Sequence, residues 1–228
     1  MRQFNSDRRL IVKTAQKLVE KGYLAATGGN ISVRIKKENA FAITPSNRNY
    51  MTMTAADICI LDEHLNVLSG PWKPSMEAAL HGAVYRTRGD VNAVIHTHQV
   101  YAGALTIIKT PLPALFDEQV RFLGKTVAVI PYAPSGSVPL KNNVLRHIKN
   151  GNNAFLIQNH GALVLGHDMD RAVHNVEILE RYSLAYLLAI CSGYRVSKIP
   201  MRMRETFFKM LRQEQKKLQK DHCGSRKK

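Results

Sequence analysis

The spacing of apolar residues changes period several times along the chain, and each change marks an element. Residues 5–22, NSDRRLIVKTAQKLVEKG, carry Leu10, Ile11, Ala15, Leu18 and Val19 on one helical face. Asn5 or Ser6 is placed to cap that helix and Gly22 to stop it. A turn at TGGN, Thr27 to Asn30, leads into strict alternation at ISVRI and a second strand at AFAIT, ended by Pro45. ICILD and NVLSG read as a hairpin pair. Residues 74–90 return to helical spacing, with Ser75 as cap and Gly89 as stop, before the strand VNAVIHTH and a helix over QVYAGALTII. TVAVIPY and NAFLIQNHGALVLG are strands, the latter two joined through Asn159, His160 and Gly161. A long apolar-faced helix covers 169–193, and a last helix runs from Met201 to Lys220. Strands and helices alternate irregularly without repeat or linker, which predicts one α/β domain.

Composition narrows the class. At 228 residues the chain can bury a sizeable core. It has no stretch of 18 or more apolar residues and no apolar leader at its start, so no membrane partner is expected. Its cysteines, Cys59, Cys191 and Cys223, are odd in number and widely spaced, which fits a reducing, cytoplasmic setting. The formal charge of +16 raises nucleic acid as a partner, but much of the excess lies in residues 202–228, read as one solvated helix and a frayed tail. No recognition motif accompanies it, so the expectation is no nucleic acid. A positive field also suits an anionic small molecule.

The chemistry sits in VIHTHQV. His96 and His98 fall on one strand face because side chains alternate with period two, and two such imidazoles can chelate a metal. For the pair alone, two hydrogen-bonded histidines at a strand end is an equal alternative. His160, beside Gly161 at a strand corner, is a third candidate ligand, and Glu77, in the first turn of an apolar helix, is a fourth. Three imidazoles with an open position make a Lewis-acid site, and an adjacent carboxylate can move a proton on carbon. Three turns rich in small polar residues could cradle a phosphate: TGGN, TPSN and KPSM. Each is weak alone, and TGGN departs from the dinucleotide and P-loop patterns. His174 with Glu177 is read as structural, and His81 as a flank of Glu77.

Taken in order, GGNIS, ITPS, PSMEAALHGAVY, AVIHTH and QNHGALVLG resemble the class II aldolase and adducin head-domain family over about Leu10 to Pro200. The resemblance implies a three-layer α/β/α sandwich around a mostly antiparallel central sheet. It divides the chain into a family domain at 1–200 and a basic C-terminal helix and tail at 201–228. It implies one Zn2+ per subunit, with Mn2+ or Co2+ as alternatives, held by His96, His98 and His160. Glu77 would be a ligand at rest and an acid or base in turnover. Gly29, Asn30, Ser46, Asn47, Ser75 and Met76 match the positions that cradle substrate phosphate in the aldolase. Asn47 stands where the pattern has glycine, and Met76 where it has a serine hydroxyl. The family implies a homotetramer with active sites at subunit interfaces.

PLPALFDEQVRFLG decides the reaction within that family. An ungapped reading puts Asp117 where the aldolase has a proton-donating tyrosine, with Glu118 next. Two carboxyls near a metal can split into acid and base. The plain alternative is that Asp117 caps a helix starting at Glu118, and Tyr132 or a tyrosine nearer the C-terminus could supply the phenol. The implied activity is a metal-dependent aldolase cleaving a phosphorylated ketose to dihydroxyacetone phosphate and an aldehyde. The alternatives are an epimerase, dehydratase or decarboxylase of a related sugar phosphate, or a non-catalytic adducin-like assembly domain. The presence of all four candidate ligands favours an enzyme.

Overall fold

The computed structural model describes residues 4–25 and 27–224. Eight strands form one sheet: β1 (Asn30–Ile35), β2 (Ala40–Ile43), β3 (Cys59–Asp62), β4 (Val67–Ser69), β5 (Ala93–Thr97), β6 (Val129–Ile130), β7 (Ala154–Ile157) and β8 (Gly161–Gly166). Their order is β4-β3-β2-β1-β5-β8-β7-β6, with every neighbouring pair antiparallel except β6 with β7. Seven helices accompany them: α1 (Asn5–Glu20), α2 (Ala78–Thr87), α3 (Val100–Ile107), α4 (Asp117–Leu123), α5 (Val138–His147), α6 (Met169–Cys191) and α7 (Met201–Gly224).

Period-two alternation sorts the strand residues between two cores. Ile31, Val33, Ala93, Ile95, Ala162 and Val164 point to one face, where they join Ile11, Leu18, Leu105, Val176 and Leu179 from α1, α3 and α6. Phe41, Ile43, Val94, Leu163 and Leu165 point to the other, against Leu80, Val84, Leu140 and Val144 from α2 and α5. The result is a helix–sheet–helix sandwich with a mixed, mostly antiparallel sheet, as the resemblance implied.

Several local expectations are corrected. Asn5 already lies within α1, whose cap position is Phe4 with no side-chain cap bond, so neither Asn5 nor Ser6 caps it. Ser75 is not the cap of α2: Glu77 holds that position, and the Ser75 hydroxyl accepts from the Glu77 N–H at 3.2 Å. Asp117 is the first residue of α4 rather than its cap, which is Phe116. Helix α5 went unread, although Ser137 accepts from Leu140 N–H at 3.2 Å and a proline sits in its first turn.

Helix α7 is docked on the domain rather than solvated all round. Leu211 is buried, Arg121 pairs with Glu214 at 2.7 Å, Lys125 pairs with Glu205 at 2.5 Å, and the Lys125 ammonium lies 4.9 Å from the Phe208 ring centre. The end of the expected frayed tail, 225–228, lies outside the described residues, as does the side chain of Cys223.

Candidate metal centre

A histidine pair and one sequence-distant histidine meet at one end of the sheet. β5 delivers His96 at its penultimate residue and His98 just past its end, while the β7–β8 corner delivers His160. The His96 Nε2 lies 3.0 Å from His98 Nε2 and 3.2 Å from His160 Nε2. Two nitrogens bound tetrahedrally to one zinc would lie about 3.3 Å apart, from a bond length of about 2.0–2.1 Å. Both His96 distances are close to that value, and the ligand atoms of the three rings all lie within 4.8 Å of one another, so the cluster could hold a single small cation.

The surroundings set each ring. His96 Nδ1 donates to the Ala162 carbonyl at 2.9 Å, which leaves its Nε2 as the metal-facing lone pair. Burial first, then the neighbouring imidazoles, lower the pKa of His98 to about 4 and depress that of His160. Neutral rings are what a cation needs. The rings pack so closely that side chains at two neighbouring positions are excluded. A Cβ on Gly161 would collide with the Thr97 carbonyl and approach His98 Cδ2 to 2.8 Å, and one on Gly28 would meet His98 Nδ1 at 2.7 Å.

Glu77, 3% exposed, completes the set. Its Oε2 is 3.7 Å from His96 Nε2 and its Oε1 is 3.7 Å from His160 Nε2. Asn30 Nδ2 donates to Oε2 at 3.0 Å, and Ser135 Oγ to Oε1 at 2.9 Å. Burial pushes this carboxyl up, but electrostatic attraction to the His96 ring, the Asn30 hydrogen bond and attraction to the His160 ring outweigh it and lower its pKa. Beneath it His81 is wholly buried. Burial lowers its pKa to about 3, and Ser32 Oγ lies 2.6 Å from both its Nδ1 and the Tyr85 hydroxyl.

A cleft of about 130 Å³ opens over the histidines, and Gly29, Asn30, Ser46, Asn47, Ser75 and Met76 all line it with Thr27, Gly28 and Pro45. Two loops are tied together at its rim: Ser46 N–H bonds the Lys73 carbonyl and Ser75 N–H bonds the Thr44 carbonyl, at 2.9 and 3.1 Å. Asp117 and Glu118 do not line it. Both are exposed on α4, where Glu118 accepts from the Tyr182 hydroxyl at 2.6 Å. Tyr132 is exposed and does not line it either. Ser135 was missed from sequence, though a signal existed: Pro45-Ser46, Pro74-Ser75 and Pro134-Ser135 are the same dipeptide, and all three serines reach this cleft. His174 is structural, its ring set edge-on against Phe122 at 5.0 Å.

Residues 9–187 match the family described as Class II Aldolase and Adducin N-terminal domain. The chain belongs to the class II aldolase and adducin family. Among class II aldolases, it is 32% identical over 178 residues to an L-fuculose phosphate aldolase of Methanococcus maripaludis, an overlap of 78% of this chain and 94% of that one. It is also 32% identical over 174 residues to a 5-deoxy-D-ribulose 1-phosphate aldolase of Bacillus thuringiensis, 76% of this chain and 81% of that one. A solved L-fuculose 1-phosphate aldolase superposes with a TM-score of 0.85 at 32% identity, covering 91% of this chain and 96% of that one. Another solved structure, described as a putative aldolase/epimerase/decarboxylase from Escherichia coli, shares the fold at TM-score 0.80 and 23% identity over 90% of this chain and 98% of that one. No helix among the described residues is long and apolar enough to cross a membrane.

Proposed function

We propose that this protein is a metal-dependent carbon–carbon lyase that cleaves a phosphorylated ketose to dihydroxyacetone phosphate and an aldehyde. The observation that carries it is the convergence of three imidazole nitrogens and an ionised carboxylate beneath a cleft lined by small polar residues. His96, His98 and His160 would hold one Zn2+, or Mn2+ or Co2+, with Glu77 as the fourth group. A cation there supplies Lewis acidity that polarises the ketose carbonyl.

The chain's own residues do the rest. Glu77 would take the proton of the C4 hydroxyl, which becomes the aldehyde oxygen. As the C3–C4 bond breaks, its electron pair moves toward the carbonyl, and an acid returns a proton to C3. Gly29, Asn30, Ser46, Asn47, Ser75 and Met76 form the phosphate end. Because the Ser46 and Ser75 N–H groups are already bonded, those serines would reach the phosphate through their hydroxyls, with the Asn47 side chain beside them. Asn30 is shared with Glu77, and Met76 contributes main chain and bulk only.

Among the described residues lining the cleft, Glu77 is the sole carboxylate and no tyrosine is present. This favours a second acid from a neighbouring copy, and we place Asp117 and Glu118 in that role within a homotetramer with interfacial sites. The same observation supports the second reading, epimerisation, dehydration or decarboxylation of a related sugar phosphate on this scaffold. A cytoplasmic location fits the free thiols of Cys59 and Cys191. We treat 201–228 as a basic segment appended to the family domain at 1–200.

The test is dihydroxyacetone phosphate release from a panel of ketose 1-phosphates by zinc-loaded protein. Release that a chelator abolishes is expected. No release from protein shown to hold zinc would move the assignment to the second reading. Mixing inactive Asp117→Asn and His96→Ala proteins should restore activity if the acid comes from a neighbour. An Asp117→Asn protein with unchanged turnover would remove that residue from the mechanism.

A further inference from the structure

The geometry assigns Ser135 as a positioning residue for the metal: its hydroxyl aims the Glu77 carboxylate at the three imidazoles. The inference rests on the metal site proposed above, though not on which reaction that site performs.

Each Glu77 oxygen has one side-chain donor within hydrogen-bond distance and one imidazole nitrogen just beyond it. Oε2 takes the Asn30 amide at 3.0 Å and faces His96 Nε2 at 3.7 Å, while Oε1 takes the Ser135 hydroxyl at 2.9 Å and faces His160 Nε2 at 3.7 Å. A carboxylate oxygen accepts at about two lone-pair sites. One donor per oxygen therefore leaves the inward lone pairs for a cation. Both donors together fix the rotation of the carboxylate about its terminal bond, which alone is a broad and soft torsion.

The two donors come from unlike supports. Asn30 is anchored in β1, paired opposite His96. Ser135 rides on the loop before α5, an exposed stretch whose seat against the start of α2 is made by Gly136 (φ +71), packed on Met76. The loop's own turn is closed independently of that hydroxyl, by Ser137 N–H on the Pro134 carbonyl at 3.1 Å. Removing the hydroxyl therefore leaves the turn in place, takes away one bond to Glu77 and frees one carboxylate oxygen to swing. Outer partners of metal ligands are worth about 10–100-fold in metal affinity.

The test compares wild type, Ser135→Ala and Ser135→Thr in zinc affinity, by competition with a chromophoric chelator, and in metal-free thermal stability. Ser135→Ala should weaken zinc by about tenfold or more, with metal-free stability lowered by no more than the loss of one hydrogen bond, and Ser135→Thr, which keeps the hydroxyl, should restore most of the affinity. An alanine variant that binds zinc as wild type does, or a threonine variant as weak as the alanine one, overturns the assignment. Wild-type protein that binds zinc with this Ser135 dependence yet cleaves no ketose phosphate would defeat the lyase reading and support the positioning role.

Discussion

Two clusters of buried polar side chains lie in this fold, and they are finished differently. At the corner where α7 docks, every guanidinium nitrogen of Arg88 is bonded. Nε and Nη2 donate to Asp90 at 2.8 and 2.7 Å, Nη2 also to Asn153 Oδ1 at 2.9 Å, and Nη1 to the Ile148 and Asn152 carbonyls. Gln215 and Gln219 of α7 close the cluster through Asn153, the Gly151 carbonyl and Asp90. At the metal cleft Glu77, His96 and Asn30 are buried, His160 is half-buried and His98 exposed, yet the buried atoms His160 Nδ1 and Asn30 Oδ1, and His81 Nε2 behind the site, have no protein partner, and imidazole nitrogens lie against one another. A buried polar atom left unpaired costs about 1–3 kcal/mol. The saturated cluster is architecture; the unsaturated one has bonding capacity left over for a ligand.

The sharpest break between them should come from His96→Ala. It removes the nitrogen nearest to both partner imidazoles, so zinc affinity should fall by more than the about 100-fold upper range for loss of an outer partner. Turnover should vanish with it, while metal-free stability changes little beyond the cavity left behind. Retention of tight, stoichiometric zinc, read by competition, would show that the cluster is not the site.

At the other cluster, Asp90→Ala should do the reverse. It strands the buried Arg88 charge, a loss of about 3–5 kcal/mol in unfolding free energy, read by urea denaturation, with zinc affinity of the folded protein kept. Its pH dependence has a definite sign. Burial raises the Asp90 pKa, but the Arg88 hydrogen bonds and charge outweigh it, so the folded value lies below the unfolded one. The stabilisation is therefore complete above the unfolded value of about 3.9 and disappears as pH falls through the lower, folded value. The gap between wild type and Asp90→Ala should narrow below about pH 4. A gap that widens on acidification would contradict the pairing.

This contrast also explains what could be read from the sequence. Strand faces and the histidine trio were legible because period-two alternation and an inserted His-x-His are local signals. The order of strands was not, since β1 pairs with β5 across a long separation that no local pattern encodes. Ser135 and the Arg88 cluster escaped for the same reason: a serine in a loop and an arginine at a helix end become informative only once Glu77 and Asn153 are placed beside them. Asp117 is the opposite case. An alignment with the aldolase's tyrosine position gave it a role, while within one chain it stands exposed on α4 outside the cleft; the role proposed for it rests on a second copy, which no local pattern in one sequence encodes.

The smallest effect expected is that of Gln215→Ala. Its Nε2 bonds the Gly151 carbonyl at 2.8 Å and Asn153 Oδ1 at 3.1 Å, and Asn153 Oδ1 keeps the Arg88 guanidinium as a second donor. The loss should be about 1 kcal/mol, lowering the urea midpoint slightly without change in zinc affinity or turnover. If catalysis fell while zinc remained bound, the docking of α7 would be coupled to the cleft, and the division between an architectural and a functional cluster would fail at this residue.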